Sequence, residues 1–411
     1  MDRCNLWARQ THPGLSWMTQ GRFTERLPLI DAWTWLDACP DAMGSEAAPL
    51  HQAFGRVLWA PLTFLADRPE HDLALVDGHA VQAESTLGAS TYNPLFLTIV
   101  PKGVALTAGC ASVCRAGETL PSGADAVLPV EFGDLVGAAL EVCEAVPLGL
   151  GVGRTGQVAQ RDGVAIEAGR RLGAPQIALA ASLGVAQLIV RRRPVVMLVL
   201  AGPKPPAIEA LCLAISSLVA RDGGVVHRPP PHSDTVRMLS FVAPADLFLV
   251  VGRSGWGEDD DAVHVIAAAG GRIDHHGLAL TPGRSAGLGW LGGAPLLLLP
   301  GDPLSALVTY ELLAGRLLRR LAGRQSDFPC PVQRFVLSRK IASPIGVSEF
   351  VPVVCRGSSV EPLALAAADG LAGYALADGF LVVPAGLEGY APGALVDVVT
   401  MPGRISRQEE P

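Results

Sequence analysis

The sequence predicts an α/β multidomain protein in which a mostly parallel sheet domain is flanked on both sides by β-rich domains, and three observations carry that reading. From Pro194 to about Gln325, apolar strand-like runs alternate with helix-periodic stretches, an order that gives parallel strands joined by right-handed crossovers. On either side, short β-prone runs are separated by Gly and Pro clusters, the texture of small β domains. The chain has 411 residues, 49% apolar and 17% charged, which is material for about two to four well-buried domains.

Taken in order, residues 1–26 carry Asp2, Arg3, Arg9, Arg22 and Arg26 without a continuous apolar core. They read as a loose extension of a cytoplasmic protein, not as a secretory signal. Leu27 to Leu36 and Ala47 to Leu58 have the apolar spacing of amphipathic helices, and a helical part is expected to combine residues 27–60 with 147–192. Residues 61–146 form a β-rich domain with strands expected at 95–100, 112–115, 126–129 and 139–142. Residues 177–183 return to helix. The apolar stretch 177–190 is shorter than the ~20 residues of a membrane span, contains Gln187, and runs into Arg191-Arg192-Arg193, a domain junction. The sheet domain, 193–325, alternates strand 195–200, helix 207–220, strand 247–251, helix 261–269, strand 296–299 and helix 303–321. Residues 326–411 are β-like again, notably at 380–383 and 395–399.

Composition narrows the function. The eight cysteines are scattered without CxxC spacing, and the nine histidines show no metal-binding pattern, so reduced structural thiols are expected and a zinc site is disfavoured. A net charge of −7 argues against a nucleic-acid surface, and no segment reads as membrane-spanning. An anionic ligand must therefore meet a local cationic patch.

Three turns supply one. Leu296 to Leu299 feeds into Pro300-Gly301-Asp302-Pro303 and then a helix, a strand-turn-helix arrangement whose helix N-terminus is a candidate anion site. The segment Gly252-Arg253-Ser254-Gly255-Trp256-Gly257-Glu258-Asp259-Asp260-Asp261 joins flexible backbone, a cation and an acidic run that can hold Mg²⁺ or cap the next helix. Thr281-Pro282-Gly283-Arg284-Ser285 is a third turn with a cation. In a parallel sheet all three converge on one edge. In the β-rich domain, Leu73 to Val81 places Asp77-Gly78 between apolar runs, and Leu120 to Glu131 repeats the idea; each reads as a hairpin.

In this collinear order the segments resemble the molybdopterin molybdenumtransferase family, the MoeA-type and gephyrin E-domain proteins of molybdenum-cofactor assembly, from about Leu27 onward. The family's Met-Asp-Gly-Tyr-Ala is matched by Val76-Asp77-Gly78-His79-Ala80, and its Leu-Pro-x-Gly-Ala-Asp-Ala-Val is intact from Leu120 to Val127. Its Gly-Gly-Val-Ser-Val-Gly-x-x-Asp is matched loosely by Gly252 to Asp260, its Lys-Pro-Gly-Lys-Pro by Thr281 to Ser285, and its Leu-Pro-Gly-Asn-Pro by Leu299 to Pro303.

The resemblance implies an elongated homodimer with a MogA-like, molybdopterin-binding α/β domain. It implies adenylylated molybdopterin and molybdate as substrates, Mg²⁺ as cofactor, and an apo-molybdoenzyme as a further partner. Asp77 and Asp260 would be catalytic, with Asp260 and Asp234 as metal ligands. Gly252, Arg253, Gly257, Gly283, Arg284, Pro300, Gly301, Asp302 and Lys204 would bind substrate.

The chain departs from the family where the chemistry should lie. The Ser-Thr-Gly-Asp-Glu-Leu segment has become Leu200-Ala201-Gly202-Pro203-Lys204-Pro205, replacing two carboxylates with a lysine, a charge inversion that opposes Mg²⁺. Ala116 stands for a Thr, Gln157-Val158 for Glu-Asp, Thr281 and Arg284 for the two lysines, Asp302 for the turn Asn and Ala368 for a serine. Two readings follow: a weakened transferase, or a non-catalytic paralogue that binds the cofactor and hands it to a client enzyme. A third is a scaffold that keeps only the fold.

Overall fold

The computed structural model describes residues 26–41, 44–201, 206–229, 245–363 and 370–401, with Val236 and Leu239; Lys204, Asp234 and Ala368, singled out in the sequence, lie outside these described residues. The chain divides into two compact units, one of Ala47–Phe54 with Leu58–Ile189, the other of Met1–Glu46 with Gly55–Val57 and Val190–Pro411.

The first unit is built on a six-stranded sheet. Its strands are β1 (Gly78–Val81), β2 (Leu95–Ile99), β3 (Cys110–Cys114), β4 (Ala126–Pro129), β5 (Gly133–Val136) and β6 (Ala139–Val142), in the order β4-β1-β3-β2-β6-β5. Both expected hairpins are corrected here. Leu73–Ala74 pairs with Val152–Gly153 rather than with β1, and Gly78 opens a central strand flanked by β3 and β4. The approach of β4 explains the glycine, because a Cβ on Gly78 would lie 2.1 Å from the Leu128 carbonyl oxygen. The Leu120–Val127 motif is likewise knitted into the fold: the Leu106 amide donates to the Ser122 carbonyl and Asp125 accepts from the Ala83 amide at 2.6 Å. One face of the sheet buries Val81, Leu97, Ala111, Leu128, Leu140 and Val142.

The helix expected at 47–58 shrinks to Leu50–Ala53. Pro49 ends a strand, Ser45–Pro49, and Gly55 follows in the left-handed region at φ +73, so too few residues remain for a longer helix. Helix Ala174–Ser182 matches the expectation for 177–183 and begins earlier, at a Gly173 N-cap with Pro175 in its first turn.

The second unit holds the mixed α/β sheet: β7 (Val195–Leu200), β8 (Val225–His227), β9 (Leu247–Val251), β10 (Arg272–His276), β11 (Gly287–Leu291) and β12 (Ala294–Leu299), ordered β8-β7-β9-β12-β11-β10. The first four are parallel, β11 runs antiparallel to β12, and β10 is antiparallel to β11 and so points the same way as the first four. The apolar runs lack alternation because both faces are covered. Val196, Leu198, Leu249 and Leu297 pack on one side with helices α1 (Leu29–Asp37), α2 (Pro206–Asp222), α4 (Pro303–Thr309) and α5 (Gly315–Leu321). Met197, Phe248, Val250 and Leu298 pack on the other with α3 (Ala262–Ala268). Phe350 and Phe380 of the C-terminal β module share the first of these cores. Leu280–Thr281 adds a parallel strand to that module against Ser348 and Glu349.

The long helix expected at 303–321 is continuous but contains a π-helical turn, Tyr310–Ala314. Around it lies a buried ionic cluster. Arg221 bridges Asp222 and Glu311 at 2.9 and 2.8 Å, Arg319 lies 3.2 Å from Asp222, and the Tyr310 hydroxyl donates to Asp222. Burial acts to lower the Arg221 pKa, but hydrogen bonds to Glu311 and Asp222 outweigh it and hold the guanidinium firmly charged. Gly315 leaves room for the cluster, since a Cβ there would meet Arg319 Nη1 at 2.7 Å and Asp222 Oδ2 at 2.9 Å.

Two tests follow from these cores. Asp222→Ala leaves Arg319 without its buried carboxylate and Arg221 with Glu311 alone, and is expected to destabilise this unit by about 3 kcal/mol, read by denaturant unfolding. His79 is buried with an unpartnered Nδ1, and burial depresses its pKa. The unfolded imidazole takes a proton near pH 6.5 while the folded one resists it, so the first unit should lose stability as pH falls below roughly 6.5. His79→Phe should flatten that acid limb; an unchanged limb would show that another group causes it.

Candidate functional site

The three central parallel strands end level. Leu200 lies opposite Val251, and Val251 opposite Leu299, so the chain leaves all three at one edge of the sheet. The backbone is drawn tight there. Gly252 sits at φ +97 and its amide donates to the Leu299 carbonyl. A Cβ on Gly301 would lie only 3.3 Å from the Gly252 Cα. The third turn joins them through Gly283, at φ +120, where a Cβ would meet Thr309 Oγ1 of α4 at 2.8 Å.

The turns enclose an open groove of about 640 Å³, lined by Arg253, Ser254, Gly255, Asp260, Thr281, Pro282, Gly283, Arg284, Ser285, Pro300, Gly301, Asp302 and Ser305. Of the residues expected from sequence, Arg253, Asp260, Gly283, Arg284, Pro300, Gly301 and Asp302 are thus brought together. Gly252 stands beneath the groove as a packing contact, and Gly257 lies beside it, donating its amide to Asp260 Oδ2 at 2.8 Å. Asp77 belongs to the other unit, where it is exposed and accepts the Ala116 amide at 2.8 Å.

Charge in the groove is mostly committed. Arg253, a non-glycine residue at φ +50, pairs with Asp261 at 3.0 Å. Asp302 occupies the N-cap of α4, its Oδ2 accepting the Ser305 amide at 2.8 Å. The Asp302 carboxylate thus takes up one of the amides that the sequence reading offered to an anion and puts a negative charge beside that helix end. Arg284 is exposed and, among the described residues, is the lining cation without an ion-paired carboxylate. The acidic run does not gather around a point: Asp260 is turned to Gly257, Asp261 to Arg253, and among the described residues no three acidic, histidine or cysteine side chains are placed to hold a metal. Asp260 is thus bonded within its own loop, and Asp234, the other expected metal ligand, lies outside the described residues.

Some contacts escape sequence reasoning. Ser254 and Ser285 meet hydroxyl to hydroxyl at 3.0 Å, joining two turns, and His276 Nε2 lies 2.8 Å from the Ser254 carbonyl. Adjacent histidines at 275 and 276 carried no such signal.

The chain is similar to known proteins over most of its length. Residues 27–184 match the model of the MoeA N-terminal region (domains I and II), and residues 334–401 that of the MoeA C-terminal region (domain IV). Molybdopterin molybdenumtransferase 2 of Mycobacterium tuberculosis is 28% identical over 85% of this chain and 93% of its own. A molybdopterin biosynthesis protein of Methanocaldococcus jannaschii is 25% identical over 84% and 90%. The crystal structure of a MoeA protein from Pyrococcus horikoshii superposes with TM-score 0.76 at 29% identity, covering 92% of this chain and 99% of that one.

Replacing Asp302 by Asn keeps a side chain that can cap the helix but removes a negative charge from the groove wall. Binding of inorganic phosphate, measured by calorimetry, is expected to tighten by about 1 kcal/mol at low salt. Equal affinity in the two proteins would show that anions bind away from the α4 terminus.

Proposed function

Because the chain belongs to the MoeA-type family of molybdenum cofactor biosynthesis, we propose that its groove receives adenylylated molybdopterin and supports molybdate insertion with release of AMP. The observation that carries this is the meeting of the three turns around Arg284. The ligand and molybdate are both anions, and a guanidinium on a glycine-lined wall holds an oxyanion by charge-assisted hydrogen bonds. Ser254 and Ser285 offer neutral hydroxyls on the same wall, able to orient oxygen atoms without adding charge. No step is assigned to Mg²⁺, since Asp260 is bonded to the Gly257 amide and Asp234 lies outside the described residues. The working protein is read as a cytoplasmic homodimer.

A second reading is supported by a specific observation. Asp260, Asp261 and Asp302 all have partners within the protein, so the groove suits holding a phosphorylated pterin better than turning it over. In that case the chain delivers cofactor to a particular apo-molybdoenzyme. Incubation with adenylylated molybdopterin and molybdate separates the two: AMP release that depends on molybdate supports the transferase, and tight binding without release supports the carrier. Arg284→Ala is expected to weaken pterin-phosphate binding by about 1.5 to 3 kcal/mol. Unchanged affinity would place the ligand elsewhere.

A further inference from the structure

The two aspartates that line the groove are each half used. Asp302 Oδ2 accepts the Ser305 amide at 2.8 Å, while Oδ1 of this exposed side chain has no partner among the described residues. Asp260 repeats the arrangement: its Oδ2 accepts the Gly257 amide at 2.8 Å and lies so close over Gly255 that a Cβ there would stand 2.3 Å from it. Both side chains are held by backbone. The charged residues of the groove are Arg253, Asp260, Arg284 and Asp302, and Arg253 is already paired with Asp261. One guanidinium and two carboxylates remain, so the lining is not net positive.

A carboxylate on the wall of an anion-binding groove opposes the anion, and it is matched only by a ligand that also brings N–H donors. An ionised carboxylate accepts and never donates. The guanidine-like edge of a 2-amino-4-oxo heterocycle, an amino group beside a ring N–H, offers such donors, and a phosphate on the same molecule suits Arg284. We propose that Asp302 reads this edge, so that the groove selects a phosphorylated 2-amino-4-oxo ring over the same ring with oxygen in place of the amino group. This rests on the reading of the groove as a pterin-phosphate site. Of the two carboxylates, Asp302 is exposed where Asp260 is half-buried. Its position is also fixed, because Pro300 and Pro303 restrict the backbone of the turn and the Ser305 amide holds Oδ2.

Two probes test this, a pterin monophosphate and the lumazine monophosphate in which oxygen replaces the amino group. Each is titrated by calorimetry into the full chain, Asp302→Asn, Asp260→Asn and Arg284→Ala. The parent should bind the pterin about tenfold more tightly than the lumazine. Asparagine caps a helix about as well as aspartate, so Asp302→Asn should melt with the parent. With its oxygen on the Ser305 amide, however, it turns an NH2 group toward the donors of the ring. Asp302→Asn should therefore bring the two probes to within about twofold of each other, while inorganic phosphate binds it more tightly than the parent. A lost cap does not produce those opposite effects. Arg284→Ala should weaken both probes alike and keep the preference. If the parent binds the two probes equally, or Asp302→Asn keeps the preference, Asp302 is a helix cap alone and the proposal is overturned while the groove keeps its function. Loss of the preference in Asp260→Asn but not in Asp302→Asn overturns it as well. If the parent binds neither probe, the functional reading of the groove falls with it.

Discussion

The site depends on a register. Because Leu200, Val251 and Leu299 stand at the same height across parallel strands, the segments that follow them leave the sheet together, and Gly252 and Gly301 let two of them touch backbone to backbone. A one-residue slip of any strand would turn its core side chains to the wrong face and move its turn out of the groove. Burial on both faces fixes that register through Met197, Leu198, Phe248, Leu249, Leu297 and Leu298.

The second unit is held by apolar packing and by charge at different places. Its shared core runs from the sheet through α4 and α5 to Phe350 and Phe380, whose rings stack at 4.5 Å. The ionic cluster of Arg221, Asp222, Glu311 and Arg319 lies where the helix takes its π-helical turn. Buried charges of this kind tolerate few alternative arrangements, and fixing the phase of the helix on either side of the turn is the role that fits them.

Legibility in the sequence followed the strength of the local signal. The strands at 195–200 and 247–251 and the helix starting at Pro303 were readable to the residue, since long apolar runs and a Pro-Gly turn admit few alternatives. Parallel order accounts for the turns after Val251 and Leu299; the expectation that the third leaves a parallel strand is corrected, since Thr281–Ser285 reaches the same edge by preceding the antiparallel β11, whose Gly287 lies opposite Leu298. Asp77-Gly78 misled because a tight apolar-turn-apolar pattern looks like a hairpin, whereas the glycine is there for a neighbouring strand distant in sequence. The helix at 47–58 misled because its periodicity spanned Pro49 and Gly55. Asp302 was visible as a residue but not as a cap that occupies its own helix end, and the pairing of Arg253 with Asp261 depends on a left-handed backbone that no composition reveals.

The turn bearing Arg284 has an unusual suspension. Leu280–Thr281 is hydrogen-bonded into the C-terminal module, Gly283 rests on Thr309, and Ser285 is latched to Ser254. Its cation is therefore geared to a module whose own strands contribute little to the groove. Any displacement of that module is therefore transmitted to the Arg284 turn through this two-residue strand, which couples the groove wall to a part of the fold outside it.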